Sequence, residues 1–486
     1  MSKFFILLFC ITLFLISCRP QEHNIEIETI NFVDPFIGTA VHPELHPGVE
    51  TFQGNVSVIP LNTHSGTPPS NREFYKWRRP FLEGFVHCAK IDTTTYPGLV
   101  VTPLFGERIP NLDDKDSGYS LQTASPGYYK VRLDDRYLFA EMTGTSHTSL
   151  SRFRFQNGWA HIALYFFTKE GKMGDGVMRI SAINEIEGYR QLSLDNDESA
   201  PSKLYFVARF NRSAMGGGLI KNGTILPESV VETEGRAGGV FSFRTMDAGA
   251  VQLKIAFSPI GIEHARAMFE IEQPAWSFEL IHLRARQSWE SILSKIKVMG
   301  PTIDQTLFYT SLYRALVAAN PGVWHQHRTW NPFSGSSESV LQRMVHANCA
   351  ARATDHSLPA SGTALENPQR LSGQLSRWRT QFFNIQPNGY PPHGSVTALS
   401  SNLCFTLLGL IPDCHGGFIL VPPSFDFVEI YDNAERSLPF TLKIQRKGAD
   451  AERITKAKLN KSPQASFYLQ SSDIIPGGML ELTLGR

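Results

Sequence analysis

The chain is poor in cysteine, in net charge and in long apolar runs, and each shortage excludes a class of protein. Six cysteines occur in 486 residues. Beyond the first eighteen residues only Cys88, Cys349, Cys404 and Cys414 remain, too scattered for a disulfide framework, and no C-x-x-C pair suggests a zinc site. A formal charge of +1 gives no long-range pull toward nucleic acid, whose binding depends on phosphate neutralisation. The apolar run Phe4 to Ile16 is too short to span a bilayer. Lysine is absent from Val298 to Leu442, and Pro321 to Ser400 carries three acidic residues against six arginines, five histidines and ten serines. A solvated face normally mixes its charges, so 321–400 is expected to be irregular or degenerate, either a disordered insert or translation through a frame change.

What is present begins with export. Lys3 ahead of the apolar run reads as a signal peptide over residues 1–18. Leu15-Ile16-Ser17-Cys18 is similar to a bacterial lipoprotein cleavage box, and Arg19 to His23 supplies a polar tether. Cys18 is the expected lipidation site, which implies a cell-envelope protein of the periplasm or outer membrane surface. Removing the signal leaves about 470 residues, long for one core and suggestive of two or three domains.

From 24 to 260 the pattern is strand after strand. Tyr128 to Leu133, Tyr137 to Met142, Leu150 to Phe155, Tyr205 to Phe210, Gly239 to Phe243 and Val251 to Phe257 alternate apolar and polar residues between Gly, Asn and Asp turns. That pattern predicts an N-terminal antiparallel β-sandwich. Residues 261–320 change period. Ala285, Trp289, Ile292, Leu293 and Ile296 fall on one helical stripe, and Leu307 to Val317 forms a further helix stopped by Asn320-Pro321-Gly322. Residues 401–486 return to alternation at Phe425 to Ile430, Phe440 to Ile444 and Phe467 to Gln470, with a final strand after Pro476-Gly477-Gly478. The fold class expected is mainly β: sandwich, helical linker, a helical remnant and a small C-terminal β cap.

Several residues could carry chemistry. His42, Glu44 and His46 alternate and could share a strand face as zinc ligands, but Pro43, Pro47 and Gly48 favour a loop at the sandwich rim, where His42 could meet a sugar hydroxyl. In Asn71 to Arg79, Tyr75 or Trp77 could stack on a pyranose and Arg78 or Arg79 could bond hydroxyls. His87 could wall a pocket. It cannot pair with Cys88, because strand neighbours point to opposite faces. Asp113 to Gly118 reads as a solvated turn, with calcium as the other reading. Glycoside hydrolysis needs two carboxyl groups facing one bond, and spacing picks no such pair from Glu44, Glu50, Asp92, Asp113, Asp114 and Asp116.

These residues together resemble glycoside hydrolase family 92, the calcium-dependent exo-α-mannosidases. Val33-Asp34-Pro35-Phe36-Ile37-Gly38-Thr39 is similar to the family opening V-N-P-F-I-G-T. His42 falls on the first histidine of its G-G-H-G-H-T-x-P-G, and Glu44 replaces the second. Gly84-Phe85-Val86-His87 resembles its G-F-S-H, and Ser125-Pro126-Gly127-Tyr128-Tyr129 agrees closely. Later segments run in family order: Trp276-Ser277-Phe278, Phe308 to Tyr313, Pro387-Asn388-Gly389, Ser424 to Ile430 and Gly477 to Glu481. The resemblance implies a β-sandwich facing a helical (α/α) toroid, a bound Ca²⁺, and partners that are mannose-containing glycans. The implied substrate-binding set is Gly38, Thr39, His42, Trp77 and His87. The toroid looks truncated between about 320 and 386, and the family's G-N-D-D-x-G falls on Pro391-Pro392-His393-Gly394, which lacks acidic ligands. No catalytic carboxylate can be assigned. The expectation is a glycan-processing protein of α-mannosidase ancestry that has lost turnover; the alternative is a non-catalytic mannoside-binding or surface interaction protein.

Overall fold

The computed structural model describes residues 28–52, 54–62, 74–89, 98–110, 116–166, 174–192, 203–246, 249–318, 339–352, 368–431, 438–448, 451–474 and 476–486. Cys18 and its signal segment, Asn71 to Glu73, Asp92, and Asp113 to Lys115 lie outside them.

The alternating sequence becomes a sheet of seventeen strands curled into two facing layers. One layer runs Val49–Glu50, Val56–Leu61, Gly84–Ala89, Gly98–Phe105, Gly158–Phe166, Glu232–Thr245, Gly216–Lys221 and Thr224–Ile225. The other runs Ser117–Ser125, Tyr128–Leu133, Leu138–Gly144, Thr148–Phe155, Ala250–Ser258, Lys203–Phe210, Glu185–Gln191 and Asp175–Ala182. Every pairing in these layers is antiparallel. The long strand Glu232–Thr245 belongs to both. Residues 232–236 pair with Asp175–Ala182, and residues 238–245 pair with Gly158–Phe166. Gly235, at φ +95°, sits at the change of partner, a backbone position that costs glycine little.

Alternation explains the interior. In Tyr128–Leu133 the residues Tyr129, Val131 and Leu133 are buried, and they meet Phe153, Phe206, Phe243 and Ile255 between the layers. Each fully buried large apolar side chain contributes about 1.5–3 kcal/mol.

Six helices longer than one turn occur among the described residues: α1 Ile262–Glu272, α2 Phe278–Leu293, α3 Thr302–Ala318, α4 Val340–Arg352, α5 Pro368–Phe382 and α6 Val396–Leu408. Helix α1 lays Ala265, Met268 and Phe269 on Val207 and Ala256 of the sandwich. The apolar stripe of α2 ends at Leu293, not Ile296. Ile296–Met299 instead forms a strand against Phe427–Ile430, because Ser294-Lys295 closes the helix and the stripe's last member serves a sheet. Helix α6 is buried at nearly every position, and the Ser401 and Thr406 hydroxyls are satisfied on carbonyls of the helix itself. It stops at Gly409, whose φ of +74° lets its N–H reach the carbonyls of Phe405 and Thr406.

Two small sheets close the chain. One has the order Ile296–Met299, Phe427–Ile430, Phe440–Arg446, Gly478–Gly485, Arg453–Leu459 and Ser462–Pro463, with Phe440–Arg446 and Gly478–Gly485 parallel. The other joins Leu410–Pro412, Gly417–Leu420 and Tyr468–Gln470. The second core gathers α2, α3, α6 and these sheets around Trp289, Phe308, Leu403 and Leu442, and it includes Ile30, Val33 and Ile37 from the start of the chain.

Two expectations are corrected here. The stretch 321–400 is not irregular where it is described: α4, α5 and the start of α6 fold within it and bury Leu341, Met344, Leu371 and Leu375. Cys349 and Cys414, two of the four cysteines read as too scattered for a disulfide framework, form one disulfide with Cα atoms 5.6 Å apart. It ties α4 to the turn before Gly417–Leu420. A bond across 65 residues of sequence leaves no spacing pattern to read. Among the described residues no helix is long and apolar enough to cross a membrane.

Candidate functional site

Residues 33–48, expected at the sandwich rim, instead form the seam between sandwich and helices. The carboxylate of Glu290 on α2 accepts bonds from the N–H groups of Thr29 and Ile30 at 3.1 and 2.8 Å. Asp34 N–H donates to Thr310 on α3 at 2.9 Å. Arg314, four residues along α3, is buried and donates to the carbonyls of Pro35 and Ile37. Burial pushes its guanidinium pKa down, while Tyr390, Tyr313, Asp34 and Glu44 support the charge. Its guanidinium lies over the Tyr390 ring, 5.5 Å from the centroid.

The far wall is Pro387 to Pro391. Ala40 N–H donates to the Pro387 carbonyl at 2.9 Å. Tyr390 shares its hydroxyl with Ser311 at 2.8 Å and Ser400 at 3.1 Å. Gly38 has φ +83°, and a Cβ there would stand 2.9 Å from Leu45 and 3.3 Å from Tyr390; only glycine allows this approach. Thr39 donates its hydroxyl to the Phe36 carbonyl at 2.7 Å.

His42 completes the closure. Its Nε2 lies 2.6 Å from the Pro391 carbonyl and its Nδ1 3.5 Å from the Glu44 carboxylate. The ring meets Tyr390 edge-on. His46 turns away from it, its Nε2 3.1 Å from Glu50, so the two histidines and Glu44 do not converge. Among the described residues no group of three His, Cys, Asp or Glu could hold a metal. Calcium does not fit the corresponding segment. Pro391 commits its carbonyl to His42, and Pro392, His393 and Gly394 bring no carboxylate.

Trp77 joins the cluster. Its N–H reaches the Thr39 carbonyl at 3.4 Å and its ring packs edge-on against Phe36 at 5.4 Å. The structure therefore brings Gly38, Thr39, His42 and Trp77 together. Thr39 and His42 are 1% and 4% exposed, so these two hold the seam shut while half-buried Trp77 faces outward. Tyr75 is buried, its hydroxyl on Gln122 at 3.2 Å. Arg78 and Arg79 are exposed.

His87 lies elsewhere, fully buried inside the sandwich. Ser149 Oγ is 2.8 Å from its Nδ1 and Ser151 Oγ 3.3 Å from its Nε2. Burial lowers its pKa to about 3. It is a satisfied core histidine and walls no opening.

Among the described residues, Asp34, Glu44 and Glu50 bring carboxylates to the seam beside Glu290. Burial raises the pKa of Asp34, against the Phe36 N–H and Arg314, which lower it. Glu50 is buried and accepts from Ser57 at 2.8 Å. Glu44 is 27% exposed and stands open to a ligand. Sequence reasoning missed Arg314 and Tyr390, the two residues that clamp the seam. Arg314 set among Leu312, Tyr313, Ala315 and Leu316 was the available signal.

Comparison with known proteins agrees with this layout. Residues 32–258 match the glycosyl hydrolase family 92 N-terminal domain. Residues 264–349 and 355–486 match that family's catalytic domain, so the stretch once open to a frame change carries family sequence. A family 92 α-mannosidase from Bacteroides thetaiotaomicron superposes with a TM-score of 0.71 at 14% identity, over 94% of this chain and 94% of that one. An inverting family 92 mannosidase from the same organism gives 0.74 at 12% identity, over 94% and 97%. No curated protein sequence matches.

Proposed function

The chain belongs to glycosyl hydrolase family 92, with its helical region reduced relative to typical members, and from that premise we propose that it recognises terminal α-mannosyl groups at the seam without cleaving them. One observation carries the reading. Among the carboxylates that the described residues bring to the seam, Asp34 accepts the Phe36 N–H and faces Arg314, Glu50 accepts from Ser57, Glu290 accepts from Thr29 and Ile30, and Glu44 is 27% exposed. Hydrolysis needs an acid and a base on either side of the glycosidic bond. Recognition needs an apolar platform and hydroxyl partners, which Trp77, Glu44 and Arg78 offer.

Calcium dependence typical of the family has no carboxylate set among the described residues to support it, and no step is routed through the ion. Incubation with α-1,2-mannobiose and calcium is expected to give binding without release of mannose, and Trp77→Ala is expected to weaken binding about tenfold. Mannose release that a chelator abolishes overturns the reading.

The same proposal places the protein at the cell envelope on a lipid attached through Cys18. The support is the leader sequence alone. Radiolabelled palmitate is expected to enter the wild-type chain and not Cys18→Ala; equal labelling of both refutes the anchor.

A further inference from the structure

An opening lies at the end of α3 away from the seam. It is a groove of about 590 Å³, within the roughly 300–1,000 Å³ of small-ligand clefts. Asp304, in the first turn of α3, lines it. Ten residues of helix, about 15 Å, separate Asp304 from Arg314 at the seam, so groove and seam are distinct.

Six charged residues line this groove: Asp304, Arg379, Asp426, Arg446, Glu452 and Arg453. Three are cationic and three anionic. Arg379 pairs with Asp304 and donates to Ser424 at 2.8 Å. Arg446 donates to Asp426 at 2.9 Å and to the carbonyls of Pro423 and Phe425 at 2.9 and 3.2 Å. The walls are therefore preset hydrogen-bonding groups with no net charge to attract an ion. Phe467 and three prolines add apolar surface.

This chemistry selects its ligand. Each sugar hydroxyl donates one hydrogen bond and accepts others. Alternating guanidinium and carboxylate groups meet both needs while their own pairs stay intact, so no lone charge is desolvated. An anionic ligand would confront three carboxylates.

We propose that this groove is a second carbohydrate site, for a neutral oligosaccharide of about two residues, apart from the seam. The choice of a sugar rests on the glycan-processing reading above.

Gly373 provides the test. It lines the groove on an exposed face of α5, and a Cβ there meets nothing within 4 Å. A tryptophan at this position fills the groove without touching the core. Saturation-transfer NMR on the full chain would use α-1,2-mannobiose as probe. Trp77→Ala is expected to keep transfer, and Trp77→Ala with Gly373→Trp to lose at least nine-tenths of it. Ser376→Trp, one turn along the same face, is a second way to fill the groove should Gly373→Trp misfold. Transfer abolished by Trp77→Ala alone overturns the second site and leaves the seam reading standing. Transfer unaffected by Trp77→Ala but removed by Gly373→Trp supports the groove and overturns the seam. Displacement of the disaccharide by millimolar glucuronate or inorganic phosphate marks an anion site and overturns the proposal, as does transfer that neither occluding variant reduces.

Discussion

The sandwich and the helical half are held together by different means. Strands of the sandwich mostly pair with near neighbours in sequence, and its core is apolar side chains from alternate positions. The helical half draws its core from residues 30–37, 289–316, 340–375 and 398–482. To that packing it adds single ties across long stretches of chain: Arg314 to the opening loop, Glu290 to Thr29, Cys349 to Cys414. Redundant packing tolerates the loss of one contact. Single ties do not.

Removing Arg314 is the most severe way to break that contrast. Arg314→Met leaves the carbonyls of Pro35 and Ile37 without their donor and Asp34 without its cation. Breaking a buried charged pair typically costs about 3–5 kcal/mol. Denaturant unfolding with hydrogen exchange is expected to show the helical half opening first while sandwich amides stay protected. Loss of protection in both halves together shows that they unfold as one unit.

Cutting the disulfide follows. Cys349→Ser is expected to cost up to about 4 kcal/mol from the loop it closes, confined to the helical transition. A shift in the sandwich transition refutes the division.

The sandwich has its own weak point in His87, and pH probes it. Its folded pKa of about 3 lies below the unfolded value of 6.5. The unfolded chain thus binds the extra proton between those values, and stability falls as pH drops through that window. The slope is about 1.4 kcal/mol per pH unit. His87→Gln, which keeps hydrogen-bonding capacity toward Ser149 and Ser151, is expected to flatten it when thermal unfolding is followed from pH 6.5 to 4. An unchanged slope assigns the sensitivity to other groups.

The smallest effect is expected at Trp77. Half-buried and packed edge-on against Phe36, it is expected to cost under about 1 kcal/mol as alanine while weakening mannoside binding at the seam about tenfold. Calorimetry alongside the binding assay separates the two.

The same contrast governs how much could be read from the sequence. Period-two alternation in Tyr128–Leu133 or Ala250–Ser258 is a local signal, so the sandwich was legible strand by strand. Helix α2 was legible for the same reason, down to Trp289. Ile296 was misassigned because its partner, Ile430, is far along the chain. The central stretch looked irregular because α4 and α5 bury few positions each, Leu341, Met344, Leu371 and Leu375 among them, which leaves a weak apolar period. At the seam, Gly38, Thr39 and His42, which lie in the family-like opening, stand together with Trp77, which the aromatic and basic stretch singled out. His87 shares the family motif yet points into the core, since a strand buried on both faces leaves its histidine no opening to line.

The inclusion of Ile30, Val33 and Ile37 in the second core has a consequence for assembly. A chain delivered amino end first must carry these residues uncovered until α6 and the final strand, at Gly478–Gly485, have emerged. The sandwich can condense in the meantime, because its strands are complete by Ser258. The opening segment is thus first made and last docked. A chaperone or export factor that shields it has the whole interval of synthesis in which to act.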